Sequence, residues 1–220
     1  MFGIISAMSS AISSAISIVS NVVSTVGKAL VTGATKFLEI VGEKLETIAN
    51  VIETIGKILD VISPNENVDE LGAKAMQSEK KPEDFEKISE YIEHLKNDVE
   101  LDIDKFNNAK TEDRFARKAI GATIISKGIE EKKDVLIPIE FWKEVAEQKM
   151  DSPEIDKTID IFKSNNMENK FFEYMNGKLE YKDEVKVGTM IIDMYRELEP
   201  NMTIEQIEDK VMKMEDKKDT

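Results

Sequence analysis

One heptad frame runs without a skip from Ser6 to Ile62, and no other feature of this 220-residue chain limits its fold as strongly. The second half of the frame is an apolar seam. Val41, Leu45, Ile48, Ile52, Ile55, Leu59 and Ile62 recur at alternating steps of four and three residues, with charges between them. Steps of that size return to one face of a helix, so the segment is expected to be helical with a single apolar stripe. Extended backwards, the frame passes through Leu38, Ala34, Val31, Gly27, Ser24, Ser20, Ser17, Ser13 and Ser10 to Ser6. A straight helix of this extent would reach roughly 85 Å, well beyond a small domain, and would have to pack on something else. The alternative is a helical hairpin, bent at Gly27 or Gly33, in which residues 34–62 fold back on residues 4–26.

The two halves of the frame call for different neighbours. In the first half the seam is made of small hydroxyl residues, while Ile5, Met8, Ile12, Ile16, Val19, Val23, Val26 and Leu30 lie on other faces. Small seams let helices approach closely, and a serine in such a seam bonds either across to a neighbour or back to its own i−4 carbonyl. Ser10, Ser13, Ser17 and Ser20, together with the aliphatic seam from Val41 to Ile62, are therefore the expected self-association surface. Residues 1–27 carry no charge, which also raises a membrane contact through residues 1–30. Eight serines in those 27 residues make the stretch far less apolar than a single Leu-rich span. The first cation, Lys28, follows the apolar run, so a cleavable signal peptide is not expected.

Ser63-Pro64-Asn65 ends this arm, because Pro64 lacks an amide donor and restricts the residue before it. The expected organisation is an arm over 1–63, a linker with a short helix over 64–81, and an acidic helical domain over 82–220. Helical patterns fall near 67–78, 82–96, 111–131, 138–150, 153–165, 167–175, 183–198 and 203–214. Ser152-Pro153-Glu154 reads as a helix start, and Thr203 with Gln206 as a capping box. Only Val185 to Ile191 offers a weak alternation, so the class is all-α.

The formal net charge of −14 argues against a nucleic-acid partner, since phosphate neutralisation needs clustered cations. Only −1 of it falls within residues 1–64, where four Lys face five Asp or Glu. The absence of cysteine removes disulfides and thiolate metal sites. His94 is the single histidine, which leaves no histidine pair for a metal, and it reads as a structural residue. Glu83-Asp84 and Glu130-Glu131 are ordinary charged helix faces, and no glycine stands in a phosphate-cradling loop. Asp98, Asp102 and Asp104 near Glu100 lack the spacing of a calcium loop. No catalytic residue, cofactor or metal ligand is assigned, and the chain is expected not to be an enzyme.

Phe141, Trp142, Phe162, Phe171, Phe172, Tyr174, Tyr181 and Tyr195 occur at helical spacings and are expected in a core. Met175, Met190, Met194, Met202, Met212 and Met214 give the last third adaptable side chains of a kind also used on docking faces.

The serine-rich N-terminal helix, the segment Asn67-Val68-Asp69-Glu70-Leu71-Gly72-Ala73-Lys74-Ala75-Met76, Ala119-Ile120-Gly121-Ala122, Lys127-Gly128-Ile129-Glu130-Glu131-Lys132 and Ile139-Glu140-Phe141-Trp142 together resemble small helical proteins encoded in bacterial prophages. The resemblance implies a phage setting and transfers no site residues. The expected function is a structural or assembly component of a phage or phage-derived particle, working as a homo-oligomer or within a protein assembly. A membrane-active, pore-forming or injected protein is the first alternative and a soluble helical adaptor the second. The expected location is the virion, or the bacterial cytoplasm before assembly.

Overall fold

The computed structural model describes residues 2–167 and 170–215, and among them every regular element is helical. The chain divides into two compact units, residues 1–134 and 135–220. The boundary is therefore not at Pro64. The helices before and after Pro64 pack on the same later helix, so the proline marks a reversal inside the first unit rather than its end.

The first unit is organised around α8 (Thr111–Lys133), the longest helix of the described chain. Every residue from Ala116 to Ser126 is buried, followed by Gly128 and Ile129, so this helix is covered on all sides. The cover consists of α1 (Phe2–Asn21), α3 (Lys28–Val41), α4 (Leu45–Ile58), α5 (Val68–Gln77) and α6 (Ile88–Asn97), each of which packs on α8. The short helices α2 (Val23–Val26) and α7 (Ile103–Asn107) complete the unit. A helix buried all round presents no apolar stripe, because no side of it faces water.

The heptad frame does not form one long helix. It is interrupted at Gly27, with φ +84°, and at Gly42, with φ +49°, both in the left-handed region that favours glycine. Gly27 permits a fold-back shorter than the expected hairpin: α1 lies against α3, while α4 packs on α8. A one-turn 3-10 segment, Gly42–Lys44, then redirects the chain into α4. These breaks let three short helices wrap one central helix, which an 85 Å rod could not do.

The tightest crossing is between α5 and α8. A Cβ on Gly72 would overlap the carbonyl oxygen of Arg117, and one on Gly121 would overlap that of Val68. The two backbones touch, and only glycine fits on both sides.

The second unit comprises α9 (Ile139–Gln148), α10 (Ser152–Ser164), α11 (Lys170–Met175), α12 (Tyr181–Leu198) and α13 (Ile204–Glu215). Its core is aromatic. Phe141 meets Trp142 edge-on at 5.3 Å and Phe171 at 5.4 Å, and Phe162 meets Phe171 at 5.6 Å. Trp142 is fully buried, whereas Tyr181 is 81% exposed and Phe172 half-buried, so these last two depart from the expected core. The residues of the weak alternation, Val185 to Ile191, lie inside α12. Helix α10 starts from Asp151, whose carboxylate accepts the Glu154 amide while Glu154 accepts the Asp151 amide, one residue earlier than the expected Ser152 cap. The expected box before α13 is present, with Thr203 and Gln206 bonded reciprocally.

Candidate functional site

The structure separates the predicted association residues into two groups with opposite surroundings. Val41, Leu45, Ile48, Ile52, Ile55 and Ile62 are buried, and Leu59 is half-buried. Their neighbours lie within the chain, since α3 and α4 both pack on α8. This half of the seam is core rather than a surface left for another copy.

Ser10, Ser13, Ser17 and Ser20 are all exposed, together with Ser9, Ser14, Asn21 and Ser24. The inward face of α1 is carried by Ala15 and Val19, both fully buried, with Ile12, Ile16 and Ile18 half-buried beside them. Three serine hydroxyls bond back to their own helix: Ser13 donates to the Ser9 carbonyl at 3.0 Å, Ser17 to Ser13 at 3.3 Å and Ser20 to Ile16 at 2.9 Å. The face is thus small, without charge, and partly satisfied in its own hydrogen bonding. The frame's first member, Ser6, lies outside the residues whose side-chain surroundings are described. Among the described residues no helix is long and apolar enough to cross a membrane.

No spacing in the sequence marks the second feature of the first unit. A cleft of about 430 Å³ opens where the polar side of α4 (Glu46, Asn50, Glu53), the start of α5 (Asn67, Val68, Asp69), Phe106 and Asn107 of α7, and Arg114, Arg117 and Lys118 of α8 converge. Arg117 and Lys118 are 7% and 5% exposed. Charges so deep must be neutralised, and they are. Arg117 Nε donates to Asp69 at 3.3 Å and Nη1 to the Phe106 carbonyl at 2.9 Å, with the guanidinium 4.0 Å over the Phe106 ring. Lys118 Nζ donates to Glu46 at 2.5 Å and lies 3.3 Å from Asp69.

The chain matches no protein-family model, no curated protein and no solved structure.

The single histidine is half-buried between a carboxylate and a hydroxyl. His94 Nδ1 is 2.8 Å from Asp98 and Nε2 is 3.3 Å from Ser78 Oγ. The order of groups is that of a hydrolytic relay, but the hydroxyl is committed elsewhere. Ser78 is 3% exposed, donates to the Lys80 carbonyl at 2.7 Å and accepts the Lys80 amide at 3.1 Å. These bonds shape the turn after α5, and Phe85 stacks 5.3 Å from the imidazole. Asp102 caps α7 by accepting the Lys105 amide at 3.0 Å, which holds its carboxyl below the usual range.

In the second unit a wider groove of about 650 Å³ is lined by Met150, Met202 and Met214 with Tyr195 and Lys210. Lys210 bridges Glu154 at 2.7 Å and Glu199 at 2.5 Å, and lies 4.1 Å over the Tyr195 ring. Burial foremost, with Glu154 next to it, pushes the Tyr195 phenol well above its ordinary range, so it stays neutral. The network ties α10, α12 and α13 together. Of the methionines expected at a docking face, Met202 and Met214 line this groove, Met175, Met190 and Met194 are core, and Met212 is 58% exposed.

Proposed function

We propose that the protein is a non-enzymatic assembly component that self-associates through the outward face of α1. One observation carries this reading: an exposed helix face, Ser9 to Ser24, has no charge in a chain of which 34% of residues are charged. Surface that faces only water gains nothing from avoiding charge. Surface that is buried against a like face avoids the cost of desolvating it. Two chains that each carry −14 repel, and contact through the uncharged face keeps like charges out of the interface. Back-bonded serines add no unsatisfied donors when covered, and their size permits close helix approach. The prophage resemblance supplies the setting in which we put this assembly, a virion or tail-associated particle.

The chemistry of α1 favours protein over lipid. Helices that lie on membranes carry Lys or Arg on the polar face to meet anionic headgroups, and α1 has neither. Sedimentation velocity of the whole chain tests the proposal. We expect an oligomer for the wild type, an oligomer when Ser10, Ser13, Ser17 and Ser20 are all replaced by Ala, and a folded monomer for Ser13→Glu with Ser17→Glu. A wild type that stays monomeric overturns the reading, and dye release from vesicles by that monomer would move it to the membrane-active alternative.

A further inference from the structure

Only three arginines occur among the chain's 30 basic residues, and two of them, Arg114 and Arg117, line the cleft of the first unit. Arg196, the third, pairs with Asp193 on its own helix at 3.0 Å. Elsewhere the chain uses lysine for surface charge, so the guanidinium shape is concentrated at this cleft. A guanidinium presents a planar fork that matches carboxylate and phosphate oxygens in pairs, which an ammonium does not.

The three carboxylates lining the cleft already have internal partners. Glu53 takes Lys57 at 2.7 Å and the Val68 amide at 2.9 Å. Asp69 takes Arg117 and Lys118, and Glu46 takes Lys118. Arg114 is exposed and no carboxylate of the cleft is spent on it. It also stands in the first turn of α8, beside Glu112 and Asp113, where the helix dipole disfavours a cation. Local helix stability therefore does not account for an arginine there. Arg117 is held by Nε, by Nη1 and by stacking on Phe106, which leaves Nη2 uncommitted on a guanidinium already fixed in orientation.

We propose that this cleft binds a small organic oxyanion, with Arg114 as the primary contact and Arg117 Nη2 as the second. The cleft's volume, about 430 Å³, falls within the range of small-molecule sites. Asn50 and Asn107 line it with groups that both donate and accept, so the body of the ligand is polar. The shared chemistry is a carboxylate or a phosphate; the two are distinguished by probe.

Calorimetric titration of the full chain with inorganic phosphate and, separately, with succinate provides the test, at physiological ionic strength set with sodium chloride. Saturable binding of at least one anion is expected, and the one that binds more tightly names the class. Arg114→Gln should weaken it by about tenfold or more, the scale of one charged hydrogen bond. Arg114→Lys should fall between, since it keeps the charge and loses the fork. Arg114 is exposed and its charge is not favoured at a helix start, so neither variant should lower the thermal stability of the free protein. Failure of both anions to saturate, or equal affinity in wild type and Arg114→Gln, overturns the proposal.

Discussion

The two halves of one heptad frame have opposite fates in the folded chain. From Val41 to Ile62 the seam turns inward and is consumed by α8, whereas from Ser10 to Ser20 the same frame turns outward and is exposed. A constant period fixes which residues share a helix face, but not which way the face points. Direction is set by what the face can gain. Isoleucine and leucine each gain about 1.5–3 kcal/mol by leaving water, and serine gains almost nothing. At the glycine breaks the helix rotates freely enough for each half to follow its own chemistry: on α1 the off-seam residues Ala15 and Val19 become the buried set.

The most severe way to break that contrast is to put charge into the inward half. Ile52→Asp together with Ile55→Asp removes two fully buried side chains and leaves two carboxylates without partners. The loss of burial alone is about 3–6 kcal/mol, comparable to the whole stability of a small domain, before the charges are counted. We expect the first unit to lose its cooperative thermal transition by circular dichroism. Trp142, the only tryptophan, is buried in the second unit and reports on it separately. Its emission should remain blue-shifted in the double variant. A full-length protein with both transitions intact would mean that the aliphatic seam is not core.

A second substitution sharpens what small residues do in this fold. Close helix approach is achieved not by the serines but by glycine, at the crossing of α5 and α8 where Gly72 and Gly121 meet backbone. In an open helix Gly121→Ala would stabilise by about 1 kcal/mol through propensity. Here the new methyl meets the Val68 carbonyl, which cannot swing aside as a side chain would. Overpacking of this kind costs about 1–3 kcal/mol or more, so we expect net destabilisation of the first unit by urea unfolding. An increase in stability would show that the two helices can separate cheaply.

What the sequence made legible was local. The all-α class, most helix positions and the Thr203–Gln206 box follow from residues within one or two turns of each other. The division of the chain was not legible, because Pro64 gives a strong local signal while the residue range of a unit depends on contacts made far away. The partner of α4 and α5 is α8, and its residues Phe115-Ala116-Arg117-Lys118-Ala119-Ile120 show no apolar stripe, since a helix covered on every side needs none. Arg117 and Lys118 disguised it further as a surface helix, and only their pairing with Asp69 and Glu46 makes their burial tolerable. The cleft gathers residues from α4, α5, α7 and α8, a combination that no spacing encodes. One signal did exist: two of three arginines lie three residues apart, on one face of one helix.

The smallest expected effect tests the outward half directly. Ser13 and Ser17 donate to carbonyls four residues back, so their hydroxyls already have partners and leave none in the rest of the fold unsatisfied when removed. Ser13→Ala with Ser17→Ala therefore deletes two exposed helix-surface bonds and replaces serine with the best helix former. Propensity favours the change by about 0.5 kcal/mol per site, and the net loss of an exposed hydroxyl bond opposes it by a similar amount. The sum is near zero, with an upward drift of no more than about 1 kcal/mol, read from thermal unfolding at concentrations low enough to keep the chain monomeric. Buried serines bonded across to another helix would behave otherwise, since each deletion would strand a partner and cost about 1–3 kcal/mol. A clear fall in melting temperature for the dilute double variant would therefore place the serine face inside the unit, and the contrast between the two halves of the frame would be lost.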